Sequence, residues 1–166
     1  MDWQTLKNGI YCWEGSWLDL YVQHTTSEDW KKWVLFVNEQ YRIDWHNGQT
    51  QKDELRIDFK VIEAYWAGDA KLCSTARIFL NDHIQVNAHF FEAATLENDI
   101  DPRDFKTIED HNVLIDYMKG ISMRLDKPII LTPENCPEIP LIQVEDNSVE
   151  ISTDTNPGNW PVRIKE

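Results

Sequence analysis

Between Pro128 and Val162 the chain contains no lysine or arginine, although six acidic residues fall within this stretch. Basic side chains are scarce overall, with 16 Lys and Arg against 29 Asp and Glu, for a formal net charge of -13. Such a charge repels phosphate backbones and anionic lipid, and it attracts basic molecules. The composition therefore argues against nucleic acid and membrane surfaces as partners and favours a basic protein partner.

Cysteine and glycine are also few. The three cysteines, Cys12, Cys73 and Cys136, are widely spaced and odd in number, which argues against a disulfide framework or a clustered zinc site. With only six glycines, the chain has no glycine-rich phosphate loop of the dinucleotide-binding or Walker type. The sequence therefore predicts no cofactor.

Long apolar runs are absent. No stretch approaches the ~18 uninterrupted apolar residues of a membrane span. The first residues, from Met1 to Gln4, show no basic region followed by an apolar run, so no secretory signal is predicted. We therefore expect a cytoplasmic protein. The sequence leaves its oligomeric state open.

The length and the apolar content indicate a folded domain. A chain of 166 residues with 42% hydrophobic side chains can bury a sizeable core. We expect one domain over residues 1–152, followed by a mobile tail over 153–166, where Thr, Asn, Pro and Gly are frequent. The eight tryptophans are spread along the chain, and most of them lie in apolar patterns that indicate core positions.

Two segments have the apolar spacing of amphipathic helices. The first has tryptophans and valines three and four residues apart after a threonine-serine cap, which predicts a helix over 27–40. The second opens with Asp101 and Pro102, a capping acid followed by proline at the first helical position, and is predicted over 102–125.

The remaining apolar segments predict strands that come in hairpins. Alternating or aromatic-rich runs indicate strands at 9–13, 17–22, 42–45, 55–59, 75–80, 84–91, 129–131, 141–144 and 149–151. Residues 60–67 fit either a short helix or a continued strand. Since the strands do not alternate strictly with helices, we predict an α+β fold: a mostly antiparallel sheet with the two main helices packed on one face.

Histidine and carboxylate spacing points to no metal or catalytic motif. The five histidines are scattered, and no pair has the spacing of a helical zinc site. Glu109, Asp110 and His111 are consecutive in a predicted helix, where neighbours point about 100° apart, so they cannot converge on one point. We interpret this triplet as a solvated helix face, and we predict neither a metal site nor catalytic residues.

The hairpin over 75–91 offers one candidate pocket. Alternation places Ile84, Val86, Ala88 and Phe90 on one face of its second strand and the polar side chains on the other. The polar group consists of Arg77, Gln85, Asn87 and His89. Such a group can bind a carboxylate or supply acid-base chemistry. An antiparallel sheet also ordinarily has one polar face exposed to solvent, so the same group can be an ordinary surface.

The function that the sequence favours is that of a small acidic protein-binding module. Acid-rich stretches without interspersed bases resemble, in charge alone, immunity or antitoxin proteins that neutralise basic nucleic-acid-cleaving toxins. The candidate contact acids are Asp99, Asp101, Asp104, Glu134, Glu138, Glu145 and Asp146. The alternative is a small-molecule-binding domain or small enzyme that uses the polar hairpin face. Since no catalytic motif stands out, the balance favours a protein without enzymatic activity.

Overall fold

The computed structural model describes residues 1–69 and 73–152, and within these residues the chain forms four α-helices and nine β-strands. The helices are α1 (Trp3–Gly9), α2 (Ser27–Gln40), α3 (Phe59–Trp66) and α4 (Ile108–Leu125). The strands are β1 (Leu18–Gln23), β2 (Arg42–Asn47), β3 (Lys52–Glu54), β4 (Ala76–Phe79), β5 (Gln85–Glu92), β6 (Thr95–Ile100), β7 (Ile129–Pro133), β8 (Ile142–Glu145) and β9 (Ser148–Ile151). A short 3₁₀ turn covers Pro102–Asp104.

The described strands form one sheet in the order β3-β2-β4-β5-β6-β1-β7-β8-β9. Every neighbouring pair in this order is antiparallel. The helices pack against one face of the sheet, where alternate strand residues are buried. The structure therefore confirms the predicted α+β class with its antiparallel sheet and covering helices. The first strand lies in the middle of the sheet, so its pairing depends on segments far along the chain.

Aromatic side chains fill the space between helices and sheet. Trp30 and Trp33 of α2 and Trp45 of β2 are at most 1% exposed. Trp30 and Trp33 meet edge to face at 5.4 Å, and both contact Phe90 of β5. Full burial of one large apolar side chain contributes about 1.5–3 kcal/mol, so this cluster is a main source of stability. The predicted core positions of these tryptophans are confirmed.

Both main helices begin with a reciprocal cap. Thr26 and Asp29 form a capping box at the start of α2, and Thr107 and Asp110 form another at the start of α4. In each, the threonine hydroxyl accepts a hydrogen bond from the backbone of the acid, whose carboxylate accepts one from the threonine backbone. The predicted helix over 27–40 is confirmed.

The second helix is shorter than predicted. Pro102 does occupy a first helical position, but the 3₁₀ turn ends after one turn because Phe105 adopts an extended backbone (φ -90°, ψ 114°). The continuous helix α4 begins only at Ile108, after its own cap. The prediction of one helix over 102–125 was wrong for its first six residues, since two cap signals lie close together and the stronger-looking one starts only a short turn.

Two predicted strands were wrong, and one strand was not predicted. Residues 9–13 form no strand, and the preceding residues form α1, capped by the Asp2 side chain, which accepts a hydrogen bond from the Thr5 backbone. The partner strand of β2 covers Lys52–Glu54 and not 55–59, while 60–67 belongs almost entirely to α3. The strand β6 was not predicted, because its polar residues Glu97, Asn98 and Asp99 hide the alternation.

The predicted tail, 153–166, lies outside the described residues. Among the described helices, none combines the length and the apolar character that crossing a bilayer requires.

Candidate functional site

The sheet face opposite the helices carries a row of polar side chains. The row crosses six neighbouring strands, from β2 to β7, with each residue paired directly opposite the next: Asp44, Arg77, Asn87, Asp99, Asp19 and Thr132. Side chains directly opposite in an antiparallel pair lie about 5 Å apart and interact. The row therefore brings residues far apart in the sequence into one surface.

Asp99 is the centre of a hydrogen-bonded group on this face. The Asn87 amide donates to Asp99 Oδ1 at 2.7 Å, and His89 Nε2 lies 2.5 Å from Asp99 Oδ2. The hydrogen bond to Asp99 raises the pKa of His89 above its ordinary value, although burial opposes this shift. His89 Nδ1 lies 3.2 Å from the Thr75 hydroxyl, so both ring nitrogens are engaged. The ring is thereby held in one orientation, with its positive form favoured.

Asp19 faces Asp99 across the neighbouring strand pair, and it is only 5% exposed. Its Oδ2 accepts hydrogen bonds from the Tyr21 hydroxyl at 2.8 Å and from the Asn135 backbone at 2.6 Å. Burial raises the pKa of Asp19, and the nearby charges of Asp99 and Glu134 add to this increase. The bond from Asn135 holds the loop after β7 over this part of the sheet.

Glu97 brings further negative charge next to this pair. It lies opposite His89 on one side and opposite Tyr21 on the other. Burial raises the pKa of Glu97, and the charges of Asp19, Asp99 and Glu92 act in the same direction, while His89 opposes them. This surface thus concentrates more negative charge than its own cations neutralise. Like charges close together on a sheet are destabilising, so this excess costs the free protein stability.

An exposed aromatic ring borders these acids. Phe91 is 65% exposed, and its ring is stacked on His89 with the ring centres 5.2 Å apart and the planes nearly parallel. Phe91 follows the buried Phe90 at a register irregularity between His89 and Glu92. Aromatic rings are enriched at protein interfaces, so an exposed ring of this size favours an interface here.

The structure separates the predicted contact acids into groups. Asp99 lies in the polar row, and Glu134 and Glu138 are exposed in the loop that bonds to Asp19. Asp101 and Asp104 lie beyond the end of β6, where they line a cavity of about 330 Å³ together with Trp17. We use the name acidic face for Asp19, Glu97, Asp99, Glu134 and Glu138 together with Phe91.

Glu145 and Asp146 lie apart from these acids. Glu145 is the last residue of β8 and Asp146 follows it, at the end next to Ile129, whereas Glu134 follows Pro133 at the other end of β7. A strand rises about 3.3 Å per residue, so roughly 13 Å of β7 separates the two ends. The Asp146 backbone donates to the Ser122 hydroxyl of α4 at 2.8 Å. One partner surface of ordinary size can still span both groups, but they do not form one cluster.

The alternative pocket residues do come together. Arg77 lies opposite Asn87, the Gln85 amide donates to Asn87 Oδ1 at 2.6 Å, and His89 lies on the same face of β5. The guanidinium of Arg77 is paired with the carboxylate of Asp44. A ligand carboxylate would therefore have to compete with Asp44 for this cation.

Sequence reasoning missed Asp19, Tyr21, Glu97 and Phe91. The signal for the first two is present, because Leu18, Leu20 and Val22 alternate with them along β1. The corresponding signal in β6 is weak, because its inward side contains the polar Asn98, whose Oδ1 accepts a hydrogen bond from the Tyr117 hydroxyl at 2.8 Å. Phe91 lies at the irregular end of a strand, where alternation does not say which face it takes.

The interpretation of Glu109, Asp110 and His111 as a solvated helix face was wrong for two of the three residues. Asp110 and His111 are 5% and 6% exposed, and only Glu109 is exposed. Asp110 contributes to the cap of α4 and contacts His83 Nε2 at 2.8 Å, while His111 contacts Tyr11. In residues 1–69 and 73–152, no three His, Cys, Asp or Glu side chains are grouped so that they could hold a metal ion.

Comparisons of the chain with protein-family models, with curated proteins and with solved structures find no match.

Proposed function

We propose that this protein is an acidic binding module that docks a basic protein on its acidic face. The observation that carries the proposal is the direct opposition of Asp19 and Asp99 on adjacent strands, with Glu97 beside them. Like charges in this arrangement cost stability in the free protein. A partner that inserts lysine or arginine would remove this cost, so the repulsion in the free protein becomes a source of affinity in the complex.

Three features of the acidic face support a protein as the partner. The exposed loop acids Glu134 and Glu138 extend the negative surface beyond the sheet. Phe91 supplies an apolar anchor of the kind that dominates binding energy at interfaces. The face also spans several strands and is not confined to one cleft, which suits a partner with a broad surface.

Within this proposal, the class of partner that fits best is a basic nucleic-acid-cleaving toxin, and the protein acts as its immunity or antitoxin inhibitor. A nuclease presents a cationic surface that normally receives a phosphate backbone. An array of carboxylates can occupy that surface in place of the phosphates. The net charge of -13 would speed the encounter by electrostatic steering. In this proposal the protein acts in the cytoplasm, and it needs no cofactor.

The test is affinity chromatography of the source organism's lysate at low salt on three immobilised proteins. The first is the wild type. The second is the face variant Glu97→Gln, Glu134→Gln, Glu138→Gln. The third is a control variant with the same change in charge on the exposed helical surface, Glu39→Gln, Glu109→Gln, Asp116→Asn.

The proposal predicts one basic protein that the wild type and the control variant retain and the face variant loses. With that protein purified, the association rate with wild type should fall steeply as salt rises. The inhibitor role further predicts that stoichiometric wild type, but not the face variant, abolishes the partner's nuclease activity. Equal retention on the face and control variants would show that only total charge matters and would overturn the proposal.

A second function, small-molecule binding or catalysis, is favoured by one observation. The His89 ring is oriented by Asp99 at 2.5 Å, the arrangement in which a carboxylate positions a histidine for proton transfer. Substitution His89→Gln discriminates between the two functions. It should leave docking of a basic protein within a fewfold, because the carboxylates remain, but it should abolish any turnover that depends on the imidazole.

A further inference from the structure

One cavity beside α1 is lined, among the described residues, by basic and not by acidic residues. This cavity of about 420 Å³ lies between α1, the segment that follows it and the 3₁₀ turn. Its charged lining residues are Lys7, Arg103 and Lys106, and none of the described residues that line it is Asp or Glu. The chain as a whole has 29 acidic and 16 basic residues, so the charge of this lining is opposite in sign to the net charge.

The walls of this cavity are aromatic. The Tyr11 and Phe105 rings are stacked with their centres 4.5 Å apart and their planes 13° apart. The Tyr11 hydroxyl is engaged with His111 at 2.8 Å, and Tyr11 and Phe105 are each only 4% exposed, so these two rings form the buried floor of the cavity. Trp13 also lines the cavity and is 43% exposed, which leaves a large part of its indole accessible. Trp13 is therefore the ring that offers the most accessible surface to a flat apolar group.

The three basic residues of the lining differ in whether an acidic residue already forms an ion pair with them. Asp101 holds Arg103 by hydrogen bonds from Nε at 3.0 Å and Nη2 at 2.6 Å, and the guanidinium lies over the Trp13 ring at 4.0 Å. Arg103 is therefore already engaged by Asp101 and Trp13. Lys7 and Lys106 form no ion pair with any other residue in the described part of the chain. Within the described residues these ammonium groups are therefore less matched than the Arg103 guanidinium, although Lys106 interacts electrostatically with Asp104.

We propose that this cavity binds a small aromatic anion of the aryl carboxylate class. The aryl ring contacts the exposed part of Trp13 over the buried Tyr11 and Phe105, and the carboxylate pairs with Lys7 and Lys106. A volume of about 420 Å³ lies in the range of small-molecule sites. Asp101 and Asp104 lie beside the cavity and oppose the binding of an anion, whereas exposed charges beyond about 8 Å are largely screened at physiological ionic strength. The site shares no residue with the acidic face, so it stands independently of the proposed function.

The experiment is a titration of the ¹⁵N-labelled full chain with naphthoate, followed by two-dimensional NMR. The expected result is a saturable shift of the Trp13 indole N–H and of the backbone amides of Lys7, Arg103 and Lys106. The neutral isostere naphthylmethanol should bind at least tenfold more weakly, since it keeps the ring and lacks the charge. The double variant Lys7→Gln, Lys106→Gln should lose at least tenfold in naphthoate affinity.

A matched double variant, Lys31→Gln, Lys52→Gln, removes the same charge elsewhere and should bind naphthoate like the wild type. Circular dichroism of each variant establishes that the fold is retained. Equal affinity for naphthoate and naphthylmethanol would overturn the proposal, because the lysines would then contribute nothing. The absence of saturable shifts at these residues up to about 10 mM ligand would overturn it as well.

Discussion

The Tyr11 hydroxyl lies 2.8 Å from Nδ1 of His111, a buried contact between residues 100 positions apart in the chain. It joins the segment after α1 to the first turn of α4. Burial of the ring lowers the pKa of His111 to about 4. The neutral imidazole is thus the form that the folded protein favours, and protonation of the buried ring costs free energy.

The Tyr11–His111 contact predicts a loss of stability in mild acid. In the unfolded chain His111 binds a proton near pH 6.5, whereas in the folded protein it stays unprotonated down to about pH 4. The unfolded state therefore binds more protons in this window, so the free energy of unfolding should fall from pH 6.5 towards pH 4, by roughly 2–3 kcal/mol. Urea denaturation across this range measures the effect. In His111→Gln the slope over the same window should be clearly smaller; an unchanged slope would contradict this assignment.

Asp110 should stabilise the start of α4 through its ionised form. It accepts hydrogen bonds from the backbones of Lys106 and Thr107 at 2.9 and 3.0 Å. Burial acts to raise the pKa of Asp110, but these hydrogen bonds and the contact with His83 outweigh it, so the pKa is lowered. The stabilisation is therefore present above pH ~4 and is lost as the pH falls through the lowered pKa. Asp110→Asn should cost about 1–2 kcal/mol at neutral pH, and thermal denaturation measures it.

The neighbouring Glu109 supplies the control for the Asp110 substitution. It lies in the same helical turn but is exposed. Glu109→Gln should change stability by at most about 0.5 kcal/mol, since it removes only a favourable interaction with the helix dipole. Equal effects of the two substitutions would show that the cap is not the source of the stabilisation.

Gly120 should resist substitution by alanine despite its position within a helix. A Cβ atom at this position would lie 2.5 Å from Cζ of Phe36, whose ring also contacts the Arg124 guanidinium at 4.0 Å. Helix propensity alone predicts a gain of about 1 kcal/mol for Gly120→Ala, whereas overpacking typically costs about 1–3 kcal/mol. We expect net destabilisation, measured by urea denaturation. The added substitution Phe36→Leu should cost less in the Gly120→Ala background than in the wild type, because the smaller side chain removes the clash.

Glu97 should show opposite effects on stability and on binding. Burial and nearby acids raise its pKa, so its ionisation costs free energy in the folded protein as the pH rises above about 4.5. Glu97→Gln should therefore stabilise the free protein at neutral pH by up to about 1 kcal/mol, because solvent screens part of the repulsion. The same substitution should weaken binding of a basic partner. Calorimetric melting and partner titration measure the two effects; a loss of both stability and binding would indicate a structural role for Glu97.

Much of the fold could be predicted from local patterns. The helix over 27–40 and the hairpins formed by β4 with β5 and by β8 with β9 depend on apolar periodicity and turn residues that lie close in sequence. The errors occur where local signals conflict. The Asp101–Pro102 signal begins only a short turn, and β6 contains acids and an asparagine where strands usually carry apolar or β-branched residues.

The candidate site was predictable only in part. The alternation of polar and apolar residues along β5 is enough to place Gln85, Asn87 and His89 on one face. The pairing of Asp99 with both Asn87 and Asp19 depends on β6 lying between β5 and β1. Neither neighbour is adjacent to Asp99 in the sequence, so no local pattern could indicate the repulsion between the two carboxylates.

The sequence by itself determined the charge of the molecule, the amphipathic faces of its main helices and the polar side of its central hairpin, because composition and periodicity are properties of neighbouring residues. The tertiary structure decided which acids face one another, which histidines are buried and where the basic cavity beside α1 forms. Those features depend on the strand order and on the helix positions. Contacts between residues up to 116 positions apart set both the strand order and the helix positions, and these contacts minimise the free energy of the whole chain and not of any one segment.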